Sequence, residues 1–306
     1  MSLLTIQSGI AQGLLWAILT LGVYLSYRVL DVADMTTEGS FPLGAAVSVV
    51  LINSGMNPFC AVLIACLCGA LAGAVTGSLI TLFRIPPILS GILTMISLYS
   101  VNIRIMSDKA TVAISGKSVK NLISGLLKGA GSNVLSIVTG AAICFAIIML
   151  LYWFFGTEIG CAIRATGCNK KMARAQGIST DGCTILCLMI SNSLVALSGS
   201  MIAQFDYGSA LVNMGQGTIV IGLASIIIGE VIFIHTEQNF AVKLSAIVAG
   251  AIIYRTIIAC VLAVSWLKAT DLKIITAVIV AFALALPVIK GRIAFVKRAR
   301  AAKGER

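Results

Sequence analysis

The chain has 306 residues, 59% of them hydrophobic and only 11% charged, with a mean hydropathy of +1.05. So few charges cannot cover a soluble surface, which excludes a soluble domain. The net charge of +11 reads as the Lys/Arg excess that membrane proteins carry on their cytoplasmic faces, not as a nucleic-acid footprint.

Nine apolar elements follow one another near 9–30, 39–54, 58–83, 86–106, 133–156, 180–203, 216–234, 240–265 and 271–289. Most are about 20 residues long, enough to cross a hydrocarbon core of ~30 Å. The runs are continuous rather than alternating, which excludes a β-barrel. The expected class is an all-α polytopic membrane protein, embedded as one domain in a lipid bilayer. The N-terminal run lacks an early basic residue and continues too far for a cleavable signal peptide. The nine cysteines follow no zinc spacing, and those inside apolar runs, such as Cys66, Cys68, Cys183 and Cys187, read as small hydrophobes.

Basic residues set the orientation. With the 158–181 segment and the 290–306 tail inside, Arg28, Arg84 and Lys243 also fall inside, giving 14 inner Lys/Arg. Lys109, Lys117, Lys120, Lys128, Lys268 and Lys273 fall outside, so the C-terminus is expected in the cytoplasm. The outer loop 107–132 has room for a short amphipathic helix around NLISGLLKG.

Elements two and seven are short, and each follows a polar, glycine-containing stretch. Their layouts, TTEGSFPLGAAVSVVLI and NMGQGTIVIGLASIIIG, are alike, and five elements separate them. An odd offset reverses direction across the membrane. Elements one to four and six to nine would then be inverted repeats with broken helices, an arrangement typical of transporters. The stripe Gly69 to Ser78, GALAGAVTGS, allows close helix packing.

Polar residues gather at the two breaks. Asp34, Thr36, Thr37, Glu38 and Ser40 flank the first; Gln204, Asn213, Gln216 and Thr218 flank the second. Two readings stay open for each group: a substrate path or gate, in which the half-helix start at Ser40 attracts an anionic group, or a solvated loop. Glu230 reads as a solvated cap or a partner for Arg28. Arg255 falls mid-span and requires a carboxylate or carbonyls nearby. His235, the single histidine, supports no metal site.

The polar island Glu158 to Asp181, EIGCAIRATGCNKKMARAQGISTD, stands out between two greasy spans. Asn169 can cap a helix start, KKMARAQ supplies good helix formers, and Gly177 suits a left-handed stop. Met172, Ala173 and Ala175 give this helix a small, neutral face for a partner's groove; lying on anionic lipid is the alternative.

The island resembles the coupling segment of bacterial ATP-binding-cassette (ABC) importer permeases of the branched-chain amino acid and ribose type. A pattern G-x-x-x-R-A-x-G-x-N-x-x-x-A-x-x-x-G-I matches at Gly160, Arg164, Ala165, Gly167, Asn169, Ala173, Gly177 and Ile178. The likeness extends over roughly 10–290, through VADMTTEGSFPLGAA and SLVALSGSMIAQFDYGSALVNMGQG. The versions ADMTTEGS and IIIGE-VIF look most like permeases for aromatic amino acids. Sugar-type members carry an extra N-terminal span, for which this sequence leaves no room.

The resemblance implies a permease subunit without enzymatic activity. Its island helix, with Met172, would seat in a cleft of a cytosolic ABC ATPase, which holds the ATP and Mg. It also implies a second permease subunit, identical or homologous, an extracytoplasmic solute-binding protein, and a bacterial plasma-membrane location. The solute expected is small and polar, an amino acid of aromatic or branched-chain type. A sugar or nucleoside importer and an ion-coupled secondary transporter are the alternatives. The chain's own decoy, ISGKS at 114–118, has Thr111 where a phosphate loop needs its first glycine.

Overall fold

The computed structural model describes residues 3–126, 132–233 and 239–262, with positions 274, 276–278, 280, 281 and 285. His235, most of the ninth apolar element and the basic tail lie outside the described residues.

Helices dominate. α1 (Leu3–Tyr24) runs into a π-turn at Leu25–Val29, and α2 spans Thr37–Asn53. α3 (Pro58–Thr81) and α4 (Pro87–Ile105) follow, each started by a proline whose missing N–H is no loss in a first turn. β1 (Thr111–Ala113) and α5 (Val119–Leu126) form the next loop. Then come α6 (Ser132–Gly156), α7 (Glu158–Cys168), α8 (Lys170–Ala175) and α9 (Thr180–Ile202). α9 also ends in a π-turn, Ala203–Tyr207, before β2 (Ser209–Leu211), α10 (Thr218–Phe233) and α11 (Phe240–Leu262).

Among the described residues, seven helices are long and apolar enough to cross a membrane, so this is a multi-pass membrane protein. Eight of the nine apolar elements are helices, seven within a few residues of their expected bounds; the first begins at Leu3, six residues before its expected start. α2, the second, has 17 residues, and at 1.5 Å per residue it covers only about 25 Å. β1 and β2 pair antiparallel, with Val112 opposite Ala210. This small sheet departs from the all-helical expectation. Three-residue strands nearly a hundred residues apart leave no period in the sequence, and the pairing satisfies backbone groups of two loops at once.

α1 and α9 run antiparallel through the centre. The Ser191 hydroxyl donates to the Gly22 carbonyl at 2.8 Å, and Ser198 to that of Leu15 at 2.9 Å. α3 lies along α9, and α11 lies along α1. The α3–α9 approach depends on Gly69, Gly73 and Gly77, one per turn on a single face. A Cβ on Gly73 would run into the Leu188 carbonyl. Small residues are how membrane helices approach closely when hydrophobicity cannot drive them together.

The molecule has two distinguishable ends. The sheet end carries the start of α1, β1, α5 and residues 203–211; the island end carries Arg28, Arg84, α7, α8 and Glu230. Arg28 pairs there with Glu230, its Nε 2.9 Å from Oε1. Arg84 and Arg174 both reach Asp181, at 3.6 and 2.9 Å.

Candidate functional site: two broken helices and the island

α1 does not simply turn into α2. After the π-turn, Asp31 adopts a left-handed conformation (φ 57°), and the chain doubles back into the molecule. Asp34 then lies beside Asn192, its Oδ2 accepting from Nδ2 at 2.7 Å. From Thr180 to Asn192, α9 rises roughly 18 Å. The break therefore sits about halfway through the span and is no solvated loop.

Most of the polar residues flagged at this break are fastened. Asp34, Thr36, Thr37 and Ser40 are buried. Asp34 Oδ1 accepts the Thr36 amide at 2.9 Å, and the Thr37 hydroxyl donates to the Asp34 carbonyl at 3.2 Å. The Ser40 hydroxyl donates to Asn192 Oδ1 at 2.7 Å. A hydroxyl chain links Thr36 to Thr76 at 2.7 Å and Thr76 to Thr94 at 3.0 Å, tying α2, α3 and α4 together. The expected anion at the start of α2 is thus the chain's own Asp34, which meets the helix dipole and its free N–H groups.

The second break meets the first. Pro42 removes the N–H that would otherwise bond the Glu38 carbonyl. Gly215 fits against that carbonyl and the proline ring, where a Cβ would collide with both. The Glu38 carboxylate Oε1 accepts the Gly217 amide at 3.0 Å. α2 and α10, the two short helices, therefore start from one junction inside the span.

A pocket of about 470 Å³ opens at this junction, within the range of small-molecule sites. Glu38, Asn213 and Gln216, three of the residues flagged from sequence, line it together with Met95, Tyr99 and Asn102 of α4. Asn102 is fully buried and donates Nδ2 to the Gly39 carbonyl at 3.2 Å. Its Oδ1 has no hydrogen-bond partner. The Gly39 carbonyl can only accept, which fixes the amide orientation and leaves the Asn102 oxygen as an unmet acceptor. Of the residues flagged at the second break, Gln204 and Thr218 do not line the pocket. Gln204 clamps α5, accepting the Val119 amide at 3.0 Å, and Thr218 bonds the Gly215 carbonyl at 2.8 Å.

Asn102, Met95, Tyr99 and Asn192 were not singled out from sequence. An asparagine inside an apolar run is the signal that could have found Asn102 and Asn192, since such groups are rare in spans unless they face protein or a water-lined cavity.

At the island, Asn169 Oδ1 accepts the Lys171 and Met172 amides at 3.1 and 3.0 Å, starting α8. Gly177 is left-handed (φ 82°), and the Ile178 amide returns to the Ala173 carbonyl at 3.1 Å. Met172 projects outward, 64% exposed, while Ala173 is buried and Ala165 and Ile178 are half-buried. Arg164 points inward. Its Nη2 donates to the Phe155 carbonyl at 3.0 Å, and its guanidinium lies 5.9 Å from the Phe240 ring centre. Gly167 packs so tightly on the Val29 carbonyl that a Cβ could not fit.

A membrane chain with two short helices meeting at mid-span and a capped helical island at one end has the layout of a transport permease. Residues 5–289 match the family described as branched-chain amino acid transport system / permease component. The tyrosine transport system permease protein of Clostridioides difficile is 41% identical, with 90% of this chain and 88% of that one covered. An uncharacterized protein of Rickettsia prowazekii is 34% identical, covering 76% and 79%. The galactose/methyl galactoside import permease of Escherichia coli is 26% identical, covering 84% and 78%. This chain belongs to that permease family of ABC transporters. Such permeases are not themselves enzymes; they work with further subunits.

Proposed function

We propose that this chain imports an amino acid, of aromatic type, across the bacterial plasma membrane. It acts as one of two permease subunits over cytosolic ATPases that bind the ATP and Mg, and an extracytoplasmic solute-binding protein supplies the solute. The meeting of the two broken helices at Glu38 and Gly217 carries this reading, because it opens a pocket of amino-acid scale inside the span. The tyrosine permease of Clostridioides difficile supports the solute class.

The local plan of the two halves supports inverted repeats. α1 and α9 each end in a π-turn followed by a break and a short helix, and α3 packs on α9 as α11 does on α1. The count of nine spans rests on adding α2 and the last apolar element to the seven long helices. The Lys/Arg bias puts the island end and the C-terminus in the cytoplasm.

The contacts support a coupling route. An ATPase that moves α8 moves α7, and Gly167 presses on Val29. Five residues further on, Asp34 begins the clasp that holds the start of α2. Displacement at the island thus reaches the Glu38–Gly217 junction through packed backbone rather than through a flexible loop. The test is reconstitution in proteoliposomes with the partner ATPase and binding protein. ATP-dependent accumulation of labelled tyrosine is expected; no accumulation of tyrosine, phenylalanine, tryptophan or branched-chain amino acids would overturn the reading.

A further inference from the structure

Arg255 sits within α11, half-buried, and takes no part in the junction at Glu38. Its guanidinium stacks on Trp16 of α1, 3.6 Å from the ring centre, and its Nε has no hydrogen-bond partner. None of the ion pairs among the described residues includes it. A cation inside a span is expensive, and such residues face the protein interior or a water-lined cavity and mark candidate functional sites. Stacking on an indole fixes the guanidinium plane and leaves its edge for a carboxylate.

The same arginine lines a cavity of about 630 Å³ between α1, α10 and α11, open at the sheet end. Asp206 and Tyr207 line it as well, with Ile221 and Ile258 giving an apolar wall. Asp206 is held by Gln12, whose Nε2 donates to Oδ1 at 3.1 Å. Opposite charges therefore share one chamber, each tethered to a different neighbour and kept from pairing with the other. That arrangement suits a ligand carrying both charges on one small frame. We infer that this cavity is a binding site for a zwitterionic α-amino acid, with its carboxylate on Arg255, its ammonium towards Asp206 and its side chain along Ile221 and Ile258. The inference rests on the transport reading above, under which the sheet end receives solute from outside.

Two measurements on the assembled complex separate the two readings: saturable binding of labelled tyrosine without ATP, and ATP-driven uptake. Competition by tyramine and by 3-(4-hydroxyphenyl)propionate, which lack the carboxylate and the ammonium respectively, probes the charges. In the wild type both analogues should compete at least tenfold more weakly than tyrosine. Arg255→Gln should weaken tyrosine binding and raise the uptake KM at least tenfold, with ATP hydrolysis in the absence of solute unchanged. Asp206→Asn, at an exposed position, should do the same severalfold and decides the matter if Arg255→Gln does not assemble. Binding and uptake within twofold of wild type in both variants overturn the site while leaving the importer standing. Wild-type binding that depends on Arg255, without uptake of any amino acid, overturns the importer and keeps the site. Neither binding nor uptake by the wild type sinks both.

Discussion

The Glu38 carboxylate accepts the Gly217 amide at 3.0 Å across 179 residues of sequence, joining the starts of two helices that both begin inside the span. The carboxylate is thus a pin between the starts of both short helices. Glu38→Gln keeps an acceptor for Gly217 but removes the charge; Glu38→Ala removes both. If the pin matters to transport, Glu38→Ala should cut ATP-driven uptake of labelled tyrosine tenfold or more. Glu38→Gln should fall between it and wild type. Equal uptake by all three proteins, at equal assembly with the ATPase, would show that the junction is inert.

The clasp beneath this pin should govern stability. Asn192 bonds Asp34 at 2.7 Å, receives the Ser40 hydroxyl at 2.7 Å and lies in the middle of α9. Asn192→Leu leaves the buried Asp34 carboxyl without this side-chain donor and the Ser40 hydroxyl without its acceptor, and each buried polar group left unsatisfied costs about 1–3 kcal/mol. Ser40→Ala removes one neutral hydrogen bond and should cost roughly 1 kcal/mol. Thermal unfolding in detergent, followed by fluorescence-detected gel filtration, checks the order: a large drop in Tm for Asn192→Leu and a small one for Ser40→Ala. Equal shifts would mean that Asp34 is satisfied without Asn192.

How much of this was legible beforehand depended on the reach of each interaction. Runs such as 58–83 and 133–156 announce themselves, because every residue of a span must be apolar or paired and the signal is summed over 20 positions. The short second element and the polar stretch before it announced a break for the same reason. Its depth did not follow from the sequence: it depends on Asn192 holding Asp34 inside, a contact between residues 158 apart. Arg164 was flagged through the resemblance to the coupling segment, but the Phe155 carbonyl and the Phe240 ring turn it inward. Gln204 looked like a path residue, yet it serves α5, whose approach nothing in its own neighbourhood announces. Asn169 and Gly177 were readable because caps and stops act within a few residues.

Close packing of α3 on α9 yields a sharper test of the fold. Gly73→Ala puts a methyl group against the Leu188 carbonyl, which is backbone and cannot swing aside. Gly55, by contrast, is left-handed (φ 85°) and faces open space. Gly73→Val should therefore abolish membrane-inserted, monodisperse protein, whereas Gly55→Asn, a residue tolerant of positive φ, should stay within about 1 kcal/mol of wild type. The readout is the yield of folded protein per unit of membrane. Wild-type yield for Gly73→Val would mean that the two helices lie further apart than described.

The island offers a test that separates holding the helix together from touching a partner. Met172 is exposed on α8, while Asn169 caps that helix from its own start. Met172→Glu places a charge on the outward face and leaves the internal bonds of α8 intact, so Tm should stay within a degree or two. Asn169→Ala unties two amides, and loss of such a cap costs about 1 kcal/mol of local stability. If α8 seats in a groove of the ATPase, Met172→Glu should abolish co-purification of that subunit at unchanged permease yield. Asn169→Ala should weaken it only partly, because the frayed helix can re-form on docking. Arg164→Gln should act differently again: its guanidinium holds α7 to the end of α6, so it should lower Tm and lengthen the path from ATPase to junction. In that variant ATP hydrolysis should persist while uptake falls, the signature of a transmission fault rather than a docking fault. Retention of the ATPase by Met172→Glu, together with full uptake, would mean that the outward face of α8 touches lipid and that the partner grips the permease elsewhere.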